Sequence, residues 1–221
     1  PGSTFKPINL ALALEEKVIN KDGYVRDNGK INVGGWTLSN WDKKGNGLIS
    51  YPKVLQVSSN VGMVKIMQNL SPTVYWERLN ELGINSKITT DLFESTPGHL
   101  KEKDVFINQP IEQAVASFGK GFSISPLKLA QLHASLANGG LEVIPHVTYG
   151  FKNEMSRYLK KRLFSPQVSA TILEWMETVV NEGSGVGAKI EGYRIGGKTG
   201  TSQKAINGTY TQFKTCSFVA T

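Results

Sequence analysis

The sequence predicts an α+β fold in which helices flank an antiparallel sheet. Two observations favour helices: apolar residues recur at helical spacing in several segments, and two of these segments open on a Ser-Pro pair. A third observation favours strands, because the end of the chain is rich in β-branched and aromatic residues between glycine-rich turns. The 221 residues are enough for one domain with a buried core.

The predicted helices have clear local signals. The first covers residues 3–18 and has a broad apolar face. Another runs through Val61–Met67, where apolar residues repeat at helical spacing. Ser125-Pro126 and Ser165-Pro166 each supply an N-cap serine and a proline at the first helical position. Both of these helices run into glycines that act as stop signals.

The predicted strands are shorter and lie in two regions. Residues 20–50 are rich in Gly, Asn, Asp and Trp, which is typical of turns and short strands, here Lys30–Val33 and Trp36–Leu38. Near the end, Tyr193–Ile195 and Thr215–Val219 are predicted to form an antiparallel pair. No repeat or linker interrupts the sequence, so we interpret it as one domain.

The charge and the apolar runs restrict the class of protein. A net charge of +7 suits an anionic partner, but acidic residues are mixed with the basic ones. The densest basic cluster is interpreted as a solvated helix face, so we expect no nucleic-acid partner. That cluster comprises Arg157, Lys160, Lys161 and Arg162. No apolar run approaches the roughly 20 residues that a membrane span needs.

Cysteine and histidine give no sign of a metal site. Cys216 is the single cysteine, which excludes an internal disulfide and a cysteine-based metal site. His99, His133 and His146 fall at no ligand-like spacing, and we expect each to be structural or at the surface. We therefore predict neither a metal nor another cofactor.

A possible nucleophile occurs at the front of the first predicted helix. In Ser3-Thr4-Phe5-Lys6 the serine and the lysine lie one helical turn apart on the same face. A deprotonated lysine can take the proton of a serine hydroxyl, and the positive end of a helix favours an oxyanion formed there. The four residues alone are weak support, because Ser-x-x-Lys occurs by chance in many helices.

Two further segments could complete such a site. Ser58-Ser59-Asn60 offers a hydroxyl that could pass a proton and an amide that could hold a carbonyl, but it is equally consistent with helix capping. Lys198-Thr199-Gly200-Thr201 reads either as a turn before a hairpin or as a strand along which a substrate backbone can lie, since Gly200 carries no side chain. Ser-x-x-Lys, Ser-x-Asn and Lys-Thr-Gly, in this order, are the signature of class A β-lactamases and penicillin-binding proteins.

The wider sequence resembles the class B penicillin-binding proteins, most closely the septal (cell-division) peptidoglycan transpeptidases. The resemblance covers nearly the whole chain and rests on four motifs, which are Pro1–Pro7, Ser58–Gly62, Phe118–Pro126 and Gly197–Lys204. It is supported by the stretches Tyr75–Gly83, Asp91–Gly98 and Ala137–Gly140. The resemblance implies the fold shared by penicillin-binding proteins and β-lactamases, and a serine acyl-enzyme mechanism.

The resemblance also implies catalytic roles. Ser3 is expected to attack the carbonyl between the terminal D-alanines of a peptidoglycan stem peptide, with Lys6 as general base. Ser58 is expected to relay a proton to the leaving amine, and Asn60 to hold the amide of the donor peptide. Lys198 tunes the electrostatics, because burial and a second nearby positive charge both lower the pKa of Lys6 from the usual value of about 10.4.

The remaining implied residues bind the substrate. Thr199 and Thr201 are expected to bind its terminal carboxylate, with Gly200 giving room for its backbone. The backbone N–H groups of Ser3 and Thr201 are expected to form the oxyanion hole. Glu77 is an unsuitable base for hydrolysing the acyl-enzyme, because it follows Ser58-Ser59-Asn60 too closely on an amphipathic helix with Trp76 and Leu79.

The resemblance finally implies partners and a location. The expected partners are donor and acceptor stem peptides, β-lactam antibiotics and, through regions outside residues 1–221, membrane proteins of the division machinery. We expect a transpeptidase domain that is truncated at both ends, on the extracytoplasmic face of the bacterial inner membrane and anchored by an N-terminal segment outside this sequence. A D,D-carboxypeptidase, a β-lactamase or a β-lactam sensor on the same fold stays an alternative.

Overall fold

The computed structural model describes residues 1–92, 95–148, 161–206 and 209–221. Within them the helices are α1 Lys6–Glu15, α2 Tyr51–Gln56, α3 Asn60–Met67, α4 Pro72–Glu81, α5 Lys103–Asn108, α6 Pro110–Ala116, α7 Pro126–Ala137 and α8 Pro166–Glu182. The strands are β1 Tyr24–Asp27, β2 Lys30–Val33, β3 Trp36–Ser39, β4 Gly47–Ser50, β5 Gly197–Ile206 and β6 Thr209–Ala220. Short 3₁₀ helices cover Gly2–Phe5 and Val186–Ala188. The predicted α+β class is confirmed.

In the described part of the chain, the strands form three two-stranded antiparallel sheets: β1 with β4, β2 with β3, and β5 with β6. The hairpin β2–β3 agrees with the predicted strands at Lys30–Val33 and Trp36–Leu38. Gly34 and Gly35 form its two-residue turn with φ of +54° and +83°, a left-handed pair that suits the twist of a tight hairpin. The pairing of β1 with β4 was not predicted.

Helix α1 lies at the centre of the core. Every residue from Lys6 to Ala13 is buried, so the helix is surrounded by protein rather than exposed along one face. It packs against α3, α8 and the 3₁₀ helix Gly2–Phe5. Its end is a Schellman motif: Lys17 has a φ of +55°, and Val18 N donates to Ala13 O.

The start of this helix differs from the prediction. We predicted a helix over residues 3–18, but Gly2–Phe5 form a 3₁₀ helix and the α-helix begins only at Lys6. Thr4 Oγ1 donates to Pro1 O at 2.8 Å, a side-chain bond that stabilises the tight first turn. Pro7 supplies no N–H to continue an α-helical ladder backwards. Ser3 and Lys6 therefore stand at a junction between two helix types.

The two Ser-Pro helices are confirmed as α7 and α8. Ser125 Oγ accepts from Lys128 N at 3.1 Å, and Ser165 Oγ accepts from Val168 N at 3.2 Å. Helix α8 buries one face against α1, α2, α7 and β5. The large side chains on that face are Ile172, Trp175, Met176, Val179 and Val180.

One predicted strand is wrong. Tyr193–Ile195 is not a strand, and the partner of β6 is instead β5, which contains Lys198-Thr199-Gly200. The aromatic residue and the isoleucine of Tyr193–Ile195 favoured that segment as the strand. The true strand β5 has a lower β-propensity because it contains Gly197 and Gly200. Gly200 is required by packing, because a Cβ there would lie 2.8 Å from Thr4 Cγ2. The close approach of β5 to the 3₁₀ helix thus selects a glycine-containing strand.

The interpretation of the basic cluster as a helix face is wrong for its described half. Arg157 and Lys160 lie outside the described residues. Lys161 and Arg162 are exposed but not helical, and Arg162 forms an isolated bridge with Leu141.

Candidate active site

The nucleophile candidate Ser3 lies in the 3₁₀ helix, half-buried at the edge of a large open cleft. The turn is held from below by Gly119, whose carbonyl accepts from Gly2 N at 2.9 Å. Gly2 and Gly119 both have left-handed φ, at +62° and +81°. A Cβ on Gly119 would lie only 2.0 Å from Gly2 O, so this position accepts only glycine.

A buried histidine supports the same turn. The ring Nε2 of His133 lies 2.9 Å from Thr4 O, and burial lowers the pKa of His133 to about 4. The ring is therefore neutral at physiological pH. The expectation that the histidines are structural or at the surface is confirmed, since His99 and His146 are exposed.

Lys6 is fully buried and points at the middle motif. Its Nζ donates to Ser58 O at 2.6 Å, to Asn60 Oδ1 at 2.9 Å and to Ser58 Oγ at 3.2 Å. Burial, and then the charge of Lys198, hold the pKa of Lys6 well below its usual value, while Asp27 acts in the opposite sense. A neutral amine keeps two N–H donors and gains a lone pair, so the longest of the three contacts can reverse its direction.

The structure places Lys198 on the other side of the same hydroxyl. Lys198 Nζ donates to Ser58 Oγ at 3.0 Å and to its neighbour Thr199 O at 3.0 Å. Burial lowers the pKa of Lys198 to about 8. Ser58 Oγ therefore lies between two amines that come from positions 52 and 140 residues away in the sequence.

Ser3 itself does not contact Lys6 through a hydrogen bond. Within the described residues, Ser3 Oγ has no hydrogen-bond partner. The two side chains lie on the same short stretch, as predicted, but in this structure Lys6 bonds to the middle motif instead. Catalytic hydrogen bonds commonly tighten only in the complex with substrate, so the pairing of Ser3 with Lys6 stays a prediction.

The Ser58-Ser59-Asn60 motif adopts an unusual backbone. Ser58 has a φ of +56°, a conformation that a residue with a Cβ adopts at a cost of about 1–3 kcal/mol. This conformation presents both the carbonyl and the hydroxyl of Ser58 to Lys6. Asn60 Nδ2 donates to Ser39 O at 3.0 Å, which directs its Oδ1 towards Lys6. Strained backbone of this kind is typical of functional sites.

Strand β5 forms the opposite wall of the cleft. Thr199, Gly200 and Thr201 all line it, and Thr199 Oγ1 lies 3.1 Å from Ser184 Oγ. The cleft has a volume of about 1130 Å³, ample for a peptide. Charged and aromatic residues at its rim are Trp41, Asp42, Lys43, Lys120, Glu182 and Lys214.

The described residues contain no group of three or more His, Cys, Asp or Glu side chains placed to hold a metal ion. None of the helices in these residues is long and apolar enough to cross a membrane.

The family model that describes the penicillin-binding protein transpeptidase domain matches residues 1–221. The chain belongs to this family. The resemblance drawn from its motifs is therefore confirmed, and so is the fold that the resemblance implied.

Similar proteins support the same placement within the penicillin-binding proteins. The peptidoglycan D,D-transpeptidase FtsI homolog of Mesostigma viride is 39% identical over 92% of this chain. Stage V sporulation protein D of Bacillus subtilis is 36% identical over 95% of this chain. The apo TP domain of Burkholderia pseudomallei penicillin-binding protein 3 superposes with a TM-score of 0.88 at 28% identity, covering all of this chain and 66% of that one.

The chain spans only part of these curated relatives, namely 39% of the Mesostigma viride protein and 34% of the Bacillus subtilis protein.

Proposed function

We propose that this penicillin-binding transpeptidase domain is the catalytic part of a peptidoglycan D,D-transpeptidase that crosslinks stem peptides through an acyl-enzyme on Ser3. One observation carries the proposal: Ser58 Oγ lies 3.2 Å from Lys6 Nζ and 3.0 Å from Lys198 Nζ. This cluster faces the cleft that Ser3 lines. Three segments remote in sequence thus converge on one proton-transfer centre.

Acylation begins at Ser3. Its Oγ attacks the carbonyl carbon between the two D-alanines, and neutral Lys6 takes the hydroxyl proton. The lowered pKa of Lys6 favours this role, because it raises the unprotonated fraction of the amine above that of an ordinary lysine. The developing oxyanion is held by the backbone N–H groups of Ser3 and Thr201.

The tetrahedral intermediate then collapses. The C–N bond breaks, D-alanine leaves as an amine, and an ester to Ser3 Oγ remains. Ser58 gives its hydroxyl proton to the leaving nitrogen and is reprotonated by Lys6 or Lys198, which both contact its oxygen. Asn60 holds the donor amide, so the reacting carbonyl is oriented before attack.

Strand β5 recognises the carboxylate end of the donor. Thr199 and Thr201 line the cleft beside the buried charge of Lys198, and hydroxyl donors next to a cation suit a carboxylate. The bond between Ser184 and Thr199 limits the rotation of the threonine hydroxyl. Gly200 packs against Thr4 and carries no side chain, so it leaves the edge of β5 clear for the peptide.

The second half-reaction uses an acceptor amine in place of water. Glu77, the carboxylate considered as a base for hydrolysis, lies on α4. It accepts a hydrogen bond from Lys103 Nζ at 2.7 Å and is not among the described residues that line the cleft. Without such a base we expect the ester to survive in water. An amine from a neighbouring stem then attacks it and restores the Ser3 hydroxyl.

The partners and the location follow from this chemistry. Peptidoglycan lies outside the cytoplasmic membrane, so the domain acts on the extracytoplasmic side, in wall synthesis at division. β-Lactams mimic the D-alanyl-D-alanine end and acylate the same serine. Division-machinery proteins are expected to bind through regions outside residues 1–221.

Labelling with a fluorescent penicillin tests the proposal. We expect one covalent adduct, on Ser3, that lasts far longer than the seconds of a β-lactamase turnover, measured by mass spectrometry of the intact protein. Ser3→Ala is expected to abolish it, while Ser71→Ala, at the exposed cap of α4, is a matched control that keeps it. An adduct on another residue, or an acyl-enzyme that hydrolyses within seconds, contradicts the transpeptidase.

A further inference from the structure

We propose that Asp27 is a positioning residue of this active site: its buried carboxylate fixes the Ser58-Ser59-Asn60 motif and supplies a negative charge that acts on Lys6. This inference rests on the proposed function and adds a residue from outside the three motifs. Asp27 ends strand β1 and is 1% exposed.

The carboxylate of Asp27 is saturated with hydrogen bonds. Asn40 Nδ2 donates to both oxygens at 2.9 and 2.8 Å, and Asn46 Nδ2 donates at 2.6 Å. Ser59 Oγ donates at 2.8 Å and Gly29 N at 2.8 Å. Burial raises the pKa of Asp27, but these bonds outweigh it and lower the pKa below the usual value. The group is therefore an anion that accepts every bond it makes.

Two of the donors bind the catalytic motif directly. Ser59 Oγ gives its proton to Asp27 and accepts from Gly62 N at 2.8 Å. Asn40 Oδ1 accepts from Asn60 N at 2.9 Å and from Val61 N at 3.1 Å. The first N–H groups of α3 are thus capped by two side chains whose orientation Asp27 dictates.

This anchorage explains how the strained Ser58 is held. Its left-handed backbone is followed at once by Ser59, which is 1% exposed and clamped from both sides of its hydroxyl. A conformation that costs free energy persists only where the surroundings over-determine it. Within the described residues, Asp27 is the one group that bonds to the side chains of both Ser59 and Asn40, so we infer that the position of Ser58 opposite Lys6 depends on it.

The charge of Asp27 has a second consequence. All its hydrogen-bond donors above are neutral, so none of them cancels its charge, which acts on Lys6. The groups that act on Lys6 are Lys198 and Lys120, which lower its pKa, and Asp27, which raises it. Burying a carboxylate among neutral donors costs free energy of folding. A hydrogen-bond network with only a structural role could use an uncharged side chain at this position, so the charge itself points to a role in the site.

Asp27→Asn tests both parts in the intact protein. The amide has one acceptor oxygen, and Asn40 cannot rotate to match it because two backbone N–H groups hold its own oxygen. We expect the rate constant of Ser3 acylation by a penicillin to fall about tenfold to hundredfold. The rate requires neutral Lys6, and loss of the anion lowers the pKa of Lys6. The acidic limb of the pH–rate profile should therefore move to lower pH, by about half a unit.

Asp22→Asn is the matched control, since it makes the same change at an exposed position just before β1. Its rate and its acidic limb are expected to equal those of the wild type. An acidic limb that stays in place in Asp27→Asn, or an unchanged acylation rate, overturns the inference.

Ser59→Ala keeps the test decisive if Asp27→Asn does not fold. It removes the Ser59 hydroxyl, and with it both the bond to Asp27 and the cap on Gly62 N, and leaves the charge of Asp27. We expect about a tenfold loss of acylation with the acidic limb in place. A Ser59→Ala variant that acylates at the wild-type rate excludes the positioning role. Wild-type protein that fails to label at all instead overturns the proposed function, which separates the two failures.

Discussion

Among the residues that the structure describes, two regions bury a lysine, and we propose a role in proton transfer for only one of them. Lys6 and Lys198 share the hydroxyl of Ser58 at the active site. Lys128, on α7, is 5% exposed beside a cavity of about 250 Å³ below the end of α4. Its single hydrogen bond from Nζ within the described residues is a long one, 3.4 Å to Leu82 O.

Burial lowers the pKa of the lysine in both regions, but the neighbours differ. At Lys128 burial lowers the pKa, the carboxylate of Glu142 raises it, and the charge of Lys161 lowers it further. At Lys6 the second largest influence is another buried lysine, which acts in the same direction as burial. Only the active site also joins its amine to a hydroxyl and an amide that can touch a substrate. The second largest influence thus acts with burial at Lys6 and against burial at Lys128. We infer that this difference suits Lys6 to act as a base.

Among the variants that test this comparison, Lys6→Arg is expected to reduce acylation the most. Arginine keeps the charge but does not lose a proton near neutral pH, so the general base disappears. We expect acylation by penicillin to fall about a thousandfold or more, in the upper part of the range for general-base catalysis. Stopped-flow labelling measures the rate, and circular dichroism checks the fold. Acylation near the wild-type rate would assign Lys6 an electrostatic role only.

Lys198→Met tests the influence of the second amine. Removing its charge raises the pKa of Lys6, so the acidic limb of the acylation profile should move to higher pH. Loss of a preorganised charge near the reacting atoms should also slow acylation about a hundredfold. Lys53→Met, at an exposed position on α2, is the matched control. A limb that stays in place would show that burial alone sets the pKa of Lys6.

Thr199→Val distinguishes the contribution of the Thr199 hydroxyl to carboxylate binding from that of the neighbouring Lys198 charge. Valine keeps the shape and the β-propensity of β5 and deletes the bond to Ser184. Acylation by penicillins that carry a free carboxylate should slow about tenfold to hundredfold, since bonds to a charged group are worth roughly 1.5–3 kcal/mol. Esterified analogues should lose much less. An equal loss for both would assign Thr199 to strand geometry.

Lys128→Met should have the smallest effect on activity. Lys128 is not among the described residues that line the cleft, so acylation and its pH profile should stay within about twofold of the wild type. Replacing a buried lysine that forms no ion pair with a described residue by an apolar side chain should leave the free energy of unfolding unchanged or raise it by about 1 kcal/mol. Thermal unfolding measures this term. A tenfold loss of acylation would join the two regions into one functional unit.

Local sequence by itself determined several features of this protein. Ser125-Pro126 and Ser165-Pro166 predict the starts of α7 and α8, because an N-cap serine and a proline act within one turn. The hairpin β2–β3 follows from its composition in the same way. The three catalytic motifs identify the family, since their order is specific even though each is weak alone. The roles of their residues stay predictions.

Tertiary structure decided the features that depend on distant partners. The sequence left the Lys198 segment open between a turn and a strand, because Gly200 is explained only by the 3₁₀ helix that lies against it. Helix α1 begins at Lys6 and not at the predicted Ser3 for a related reason. The 3₁₀ helix before it is bonded to a distant residue, since Gly2 N donates to Gly119 O.

Asp27 and Asn40 were missed entirely. They stand in a segment whose composition is typical of turns, 32 and 20 residues from the side chains and N–H groups that they hold. Nothing in the residues nearby signals a buried carboxylate. Sequence patterns report interactions within a few residues, whereas pKa values and strained backbone depend on every charge and dipole within a few ångströms, whatever its position in the chain. The sequence therefore names the expected reacting groups. Only the fold brings two lysines to the hydroxyl of Ser58 and a buried carboxylate to the neighbouring hydroxyl of Ser59.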